Sequence, residues 1–131
     1  MDKTGKKCRD ISFRSEKNQM VLCVHSRESR EYARILENEP EVITYEACRE
    51  LDRERYQFVN TIDIRKEYFD TTWATDFVLY YEDGSIGVRE IVTKAMLSKR
   101  ANIEKLEFSR RYWSVSENVR DWKIVIMEKG E

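Results

Sequence analysis

Two carboxylates on neighbouring predicted strands are the residues best suited to chemistry in this sequence. Asp76 lies in the apolar run 73–81 and Glu90 in the apolar run 86–92. The turn signal EDGS at residues 82–85 separates these runs and predicts a β-hairpin. Each carboxylate lies near the strand end that is far from the turn, so the hairpin brings the two side by side. Burying an unpaired carboxylate is costly, whereas two adjacent carboxylates suit a hard divalent cation such as Mg²⁺.

An incidental pair of acids is the alternative interpretation of these two residues. Arg89 or Lys94 would then form ion pairs with them in solvent. Exposed pairs of this kind contribute only about 0–1 kcal/mol to stability. The two acids would in that case have no chemical role.

The composition describes one heavily charged domain with an economical core. The chain has 131 residues, of which 40% are hydrophobic and 37% charged. Its net charge of −1 gives no global signal for nucleic-acid binding, but it is compatible with a local basic face. Cys8, Cys23 and Cys48 form no recognisable zinc pattern with His25, the single histidine.

The termini and the hydropathy bear on localisation. The first ten residues, MDKTGKKCRD, lack the apolar segment of a signal peptide. No apolar run approaches the ~18–20 residues of a membrane span. We therefore expect a reduced, soluble, cytoplasmic protein that has no membrane partner. Residues 1–18 are expected to form a polar arm with at most a short strand near residues 11–13, and residues 19–131 a single domain.

Hydrophobic periodicity predicts a helix, three or four strands, a helix and a final strand. Ser26 is suited to capping the first helix, which runs to Asn38. The predicted strands cover residues 19–25, 42–47, 55–64, the two hairpin runs and 122–127. The longest helix is predicted over residues 94–116, with a buried stripe of Leu97, Ile103, Leu106 and Trp113. Because the last strand follows a helix, it can pair in parallel through a crossover, which predicts an α/β fold with a mixed central sheet flanked by helices.

The order of these elements resembles the PD-(D/E)xK fold, also called restriction-endonuclease-like, which has an αβββαβ core. An acid-bearing helix precedes a hairpin with Asp on one strand and Glu on the next, and a helix and a strand follow. Within that superfamily, several segments resemble the N-terminal domain of TnsA-type transposon endonucleases: SRESREYARILENEPEVITY at 26–45, TDF at 75–77, DGS at 83–85, and 105–125. The resemblance covers roughly residues 20–127.

The resemblance implies a metal-dependent DNA endonuclease subunit of a heteromeric transposase. Such an enzyme cuts at transposon ends by hydrolysing a phosphodiester bond. The implied cofactor is Mg²⁺ or Mn²⁺, held by Asp76, Glu90 and Glu28. The implied partners are double-stranded DNA of the transposon ends and a DDE-type transposase subunit, and a homodimer stays open.

Three positions depart from the family pattern. Thr75 stands where the family has proline, which is a small change because proline there mainly shapes the entry to the strand. The catalytic lysine is expected two residues after Glu90, where this chain has Val92. Lys94 is the nearest substitute, and it shares a face with Glu90 if the strand continues that far. The helix acid is also ambiguous, because the counted position falls nearest Ser29, beside Glu28, with Glu31 half a turn further on.

The last helix carries a cluster of basic residues that is predicted to contact DNA phosphates. The predicted contacts are Lys99, Arg100, Arg110 and Arg111. The alternative is an ordinary solvated face, because Glu104 and Glu107 are interleaved with them.

Three functions remain open at this point. The first is the active endonuclease, with Lys94 in the role of the lysine. The second is a catalytically degenerate protein that kept the fold and acts as a DNA-binding or transposase-assembly subunit. The third is a small interaction module unrelated to nucleic acid, which the near-neutral charge permits.

Overall fold

The computed structural model describes residues 10–128, which form a mixed α/β structure with two sheets. Its helices and strands, in chain order, are β1 (Ile11–Ser15), β2 (Met20–Val24), α1 (Arg27–Glu37), β3 (Val42–Glu50), β4 (Ala74–Tyr81), β5 (Ile86–Val92), α2 (Arg100–Ser114) and β6 (Val119–Ile126). β1 and β2 pair as an antiparallel hairpin. The second sheet has the strand order β3-β4-β5-β6.

The four-stranded sheet has a helix on each face. β5 and β6 are parallel, as the crossover through α2 predicts, while the other neighbours are antiparallel. Side chains alternate between the faces. Phe77 and Leu79 belong to the core on the α1 side, whereas Val78 and Val88 belong to the core on the α2 side. Every residue of β5 is buried, which fits its central position.

The first helix begins and ends where the sequence predicts. The Ser26 hydroxyl accepts the Ser29 backbone N–H at 3.0 Å, which caps the first turn. Asn38 lies at the C-cap. Ala33 and Leu36 are buried against the sheet, so tertiary packing as well as capping stabilises this helix.

The predicted strand over residues 55–64 is wrong. The chain instead forms a 3₁₀ helix, Arg53–Phe58, followed by turns. Local side-chain bonds favour this conformation over a strand: Asp52 accepts the Glu54 N–H, and Asn60 accepts the Ile62 N–H. Phe58 and Ile62 are consequently 60% and 64% exposed.

The long helix predicted over residues 94–116 is shorter than expected. A 3₁₀ turn, Ala95–Ser98, precedes it, and Lys99 has an extended backbone that separates the turn from α2. Of the predicted stripe, Leu106 and Trp113 are buried, but Ile103 is 45% exposed. Leu97 is partly buried in the 3₁₀ turn.

The N-terminal segment is more ordered than the predicted arm where the structure describes it. β1 pairs with β2 along its whole length, from Ile11 opposite Val24 to Ser15 opposite Met20. Residues 1–9, which include Cys8, lie outside the described range. Between residues 10 and 128, no helix is both long enough and apolar enough to cross a bilayer.

Candidate active site

The two predicted carboxylates meet at the open end of the β4–β5 hairpin. Backbone pairing of these strands ends at Phe77 opposite Arg89, and Asp76 and Glu90 come next on each strand. There the Asp76 carboxylate accepts the Ile91 N–H at 2.7 Å through Oδ2. The Asp76 N–H points at Glu90 Oε1 over a longer 3.4 Å. The sequence prediction that the hairpin brings these acids together is confirmed.

Both carboxylates lie in surroundings that disfavour negative charge. Glu90 is only 4% exposed and Asp76 is partly buried. Burial raises the pKa of Asp76 above its ordinary value. Burial, together with the nearby Asp76 charge, raises the pKa of Glu90 from 4.5 to about 7. Such surroundings favour either a proton on one of the two carboxyl groups or a neutralising cation beside them.

The incidental ion pairs considered for these acids do not form. Arg89 points to the opposite face of the sheet, where it bonds Asp121 at 2.7 Å and the hydroxyls of Tyr32 and Tyr81. Lys94 is exposed, and its backbone N–H donates to Glu128. Within residues 10–128, neither Asp76 nor Glu90 forms an ion pair.

The carboxylates border two adjoining spaces. The inner cavity has a volume of about 20 Å³ and is lined by Asp76, Glu90, Ile91, Val92, Met96, Asn102, Lys105 and Leu106. The outer cleft, of about 200 Å³, is lined by His25, Ser26, Glu28, Ser29, Asp76, Ile91, Val92, Thr93, Met96 and Lys105. Asp76 therefore borders both spaces, while Glu90 borders only the inner cavity.

Lys105 is the site residue that the sequence analysis missed. It lines both spaces, and its positive charge opposes the rise in pKa of both Asp76 and Glu90. Asn102 and Ser109 lie three residues before it and four after it, so all three are on the same side of α2. Polar residues at that spacing beside the buried Leu106 were the available signal.

Lys94 does not reach the site. β5 ends at Val92, and the chain then turns into the 3₁₀ segment, so the alternation that was expected to align Lys94 with Glu90 stops two residues early. Lys94 lines neither the inner cavity nor the outer cleft. Val92 itself is buried, with 3% exposure.

The helix acids lie further from the hairpin than the resemblance implies. Glu28 lines the outer cleft, but in residues 10–128 no three His, Cys, Asp or Glu side chains are grouped closely enough to hold a metal. Glu31 is exposed and bonds Arg34 at 3.5 Å. His25 also lines the cleft, and its Nδ1 lies 2.7 Å from Asp10.

The predicted DNA-contacting residues are unequally available. Arg110 and Arg111 both bond Glu107, and Arg111 also donates to the backbone carbonyls of Asn60 and Ile62 at 2.8 Å. Arg111 therefore fixes the loop before β4. Lys99 and Arg100 are exposed near the cleft end of α2, where Arg100 is 4.0 Å from Glu104.

The donors at the inner cavity fit one small hard cation. A space needs about 10–15 Å³ to hold a single water-sized species, and the inner cavity has about 20 Å³. Two carboxylates line it, and oxygen is the ligand that Mg²⁺ and Mn²⁺ prefer. Asp76 Oδ1 accepts no hydrogen bond from the described residues, which leaves an oxygen for coordination.

Comparison with known proteins does not assign this chain to a family. No protein-family model matches the chain, and no curated protein is similar to it at a significant level.

Proposed function

We propose that this protein is a divalent-metal-dependent DNA endonuclease subunit of the TnsA type, with a restriction-endonuclease-like core. The observation that carries the proposal is the Asp76–Glu90 pair at the inner cavity. These acids are close together, Glu90 is buried and Asp76 is partly buried, and neither has a cationic partner in contact among residues 10–128. The order α1-β3-β4-β5-α2-β6 is also that of the αβββαβ core.

The site residues have distinct roles in this proposal. Asp76 and Glu90 hold Mg²⁺ or Mn²⁺, which when bound activates water and stabilises negative charge on the phosphate. Lys105 replaces Lys94 as the lysine of the site, because it lines both the inner cavity and the outer cleft. Its ammonium group orients a phosphate oxygen or the attacking water there. Glu28 borders the cleft where a phosphate enters.

The substrate and partners follow from the resemblance described above. The substrate is double-stranded DNA at transposon ends, and the partner is a DDE-type transposase subunit. Lys99 and Arg100 are exposed at the N-terminal end of α2, close to the α2 residues that line the inner cavity. This position supports phosphate contacts at both residues.

Cleavage assays with the reconstituted complex test the proposal. The protein is mixed with the transposase and a labelled transposon-end duplex, and nicking is followed with Mg²⁺, with Mn²⁺ and with EDTA. We expect metal-dependent cleavage that Asp76→Asn abolishes. Asp83→Asn is the matched control, since it changes the same residue type at the opposite, exposed end of the hairpin. Failure of the wild-type complex to cleave with Mn²⁺ would overturn the proposal.

A catalytically degenerate DNA-binding or assembly subunit is the second candidate. The observation that favours it is the pair of departures at the site, namely the buried Val92 at the lysine position and the lack of a third clustered acid within residues 10–128. It predicts that the double variant Asp76→Asn/Glu90→Gln still binds the transposase and DNA and still supports transposition. Loss of transposition in a folded, binding-competent double variant excludes this candidate.

A further inference from the structure

One oxygen of Glu90 receives hydrogen bonds from two buried hydroxyl groups. Thr75 on β4 donates from Oγ1 to Oε2 at 2.9 Å. Ser109 on α2 donates from Oγ to the same oxygen at 2.6 Å. Thr75 is fully buried and Ser109 is 5% exposed, so water does not compete for these contacts.

Two tryptophans and the ionised carboxylate together set the direction of both hydrogen bonds. Trp113 Nε1–H lies 2.9 Å from Thr75 Oγ1, and Trp122 Nε1–H lies 2.9 Å from Ser109 Oγ. An indole N–H can only donate, so each hydroxyl oxygen accepts from it. An ionised carboxylate can only accept, so each hydroxyl proton is donated to Glu90. Two indole–hydroxyl relays, Trp113–Thr75 and Trp122–Ser109, therefore converge on Glu90 from α2, β4 and β6.

The convergence makes the two oxygens of Glu90 unequal. Oε2 is occupied by two donors, which is the usual capacity of a carboxylate oxygen in its plane. While both hydroxyls donate to Oε2, a proton on this oxygen would have to displace one of them. Among residues 10–128, Oε1 has only the long 3.4 Å contact with the Asp76 N–H. It is the oxygen left for a ligand.

We propose that the Trp113–Thr75 and Trp122–Ser109 relays are positioning devices that fix the Glu90 carboxylate so that Oε1 serves as a cation ligand. The inference rests on the proposed function for the identity of the ligand, whereas the relays themselves are hydrogen bonds made within the protein. Groups that hydrogen-bond a metal ligand orient it, and changing them typically lowers metal affinity about 10–100-fold.

The three tryptophans of the chain provide a spectroscopic test with an internal control. Trp73 donates its indole N–H to the Tyr68 backbone carbonyl at 2.8 Å and belongs to neither relay. In protein labelled with ¹⁵N at the indole nitrogen, we expect three N–H resonances, assigned by individual Trp→Phe variants. Glu90→Gln in metal-free buffer should shift the Trp113 and Trp122 resonances more than that of Trp73. Two unmoved relay resonances would overturn the inference.

Metal affinity tests whether the relays act on the ligand. Ser109→Ala and Thr75→Val each remove one donor, and Mg²⁺ binding to these variants is measured by calorimetry. We expect affinity to fall by about 10-fold or more for each, and Thr75→Ser to restore it because the hydroxyl returns. Ser114→Ala is the matched control, since its hydroxyl on the same helix donates to the Arg111 carbonyl and bonds no other group in the described part of the chain. Unchanged affinity in folded Ser109→Ala and Thr75→Val would overturn the inference.

The two experiments separate this inference from the proposed function. If the wild-type protein binds neither Mg²⁺ nor Mn²⁺, the proposed function fails, and the indole resonances of metal-free Glu90→Gln still decide whether the relays exist. If metal-dependent cleavage occurs but Ser109→Ala and Thr75→Val cleave normally, the proposed function stands and the positioning role is wrong.

Discussion

Glu90 and Glu104 are both buried glutamates, and they differ in what surrounds them. Glu90 is 4% exposed and Glu104 is 6% exposed. Glu90 receives hydroxyl donors beside a second carboxylate, and its pKa is raised to about 7, chiefly by burial. Burial acts on Glu104 in the same direction, but the Arg65 backbone N–H and guanidinium bind its carboxylate and lower its pKa. Burial alone therefore does not mark a site, whereas burial without a counter-charge does.

Glu104 and Glu90 differ in whether a positive charge in the protein balances the carboxylate. Arg65 donates to both oxygens of Glu104 from a guanidinium and a backbone amide, which satisfies the charge within the protein. The pair Asp76 and Glu90 brings two like charges together, and Lys105 lies at the cavity wall without an ion pair to either. Glu104 therefore stabilises the fold as it is. The Asp76–Glu90 pair has no such counter-charge among the described residues, and under the proposed function a cation would supply it.

The largest expected effect separates the two glutamates by activity. Glu90→Gln should lower metal-dependent cleavage by about 1,000-fold or more, because it removes a charged ligand worth several kcal/mol in the transition state. Glu104→Gln should leave cleavage per folded molecule within a few-fold of wild type. Both are measured on the same transposon-end duplex. Equal losses in the two variants would abolish the distinction between a site carboxylate and a structural one.

The second prediction concerns stability in metal-free buffer, where the two substitutions should have opposite signs. The pKa of Glu90 is raised in the folded state, so ionised Glu90 destabilises the fold. This destabilisation is fully present above pH ~7 and absent below the ordinary pKa of 4.5. Glu90→Gln should therefore be more stable than wild type at pH 8, by at most about 3 kcal/mol, and about equal to it near pH 4.5.

The folded-state pKa of Glu104 is lowered, so its contribution is present above the ordinary 4.5 and is lost as the pH falls through the folded value. Glu104→Gln should be less stable than wild type at pH 8 by about 1–2 kcal/mol, with the difference shrinking in acid. Urea unfolding at several pH values measures both. A loss of stability at pH 8 in Glu90→Gln would contradict the assignment of Glu90 as an uncompensated charge.

The third prediction uses the cation itself. Mg²⁺ at about 100 times its dissociation constant should stabilise the folded wild-type protein by about 2.7 kcal/mol at pH 8. Asp76→Asn and Glu90→Gln should lose this stabilisation, and Glu104→Gln should keep it. Thermal unfolding with and without Mg²⁺, against equal ionic strength from NaCl, is the measurement. A gain that persists in Asp76→Asn would place the cation elsewhere.

The smallest effect is expected for the lysine at the cavity wall. Lys105→Met should lower cleavage by about 10–100-fold, the lower range for a positioned acid–base or electrostatic group. Lys94→Met is the matched control, because Lys94 is exposed and lines neither space. It should cleave as wild type does. A loss of cleavage in Lys94→Met but not in Lys105→Met would assign the role of the lysine to Lys94 instead.

Much of the fold could be predicted from local patterns, and the failures have a common cause. The hairpin and α1 follow from alternation, a turn signal and a capping serine, all of which are local. The segment 55–64 was wrongly predicted as a strand because its alternation of apolar residues resembles one. Tyr56 is instead buried by a contact with Phe108, at 4.8 Å between ring centroids, which no local pattern encodes.

The site residues show the same difference between local pattern and tertiary packing. Asp76 and Glu90 could be paired from the sequence because one hairpin carries both of them. The spacing of Lys105 and Ser109 indicated a shared polar side of the last helix, but it did not place them at the hairpin, because that distance depends on how α2 docks on the sheet. Glu28 lies between these cases, since its helix was predicted correctly but its approach to the cleft was not fixed.

The meeting of Asp76 and Glu90 on one hairpin has a consequence for the order of folding. The two acids are 14 residues apart in sequence and meet when the hairpin closes, whereas Ser109, 19 residues from Glu90, reaches it only when α2 docks on the sheet, and Trp122 on β6 then donates to Ser109. Short-range contacts form sooner than long-range ones. The repulsion therefore arises early, and the hydroxyl donor on α2 arrives later, so the closing of this hairpin opposes folding before the rest of the chain compensates. We expect Glu90→Gln to accelerate refolding at pH 8 in metal-free buffer, as seen in the folding limb of a chevron plot.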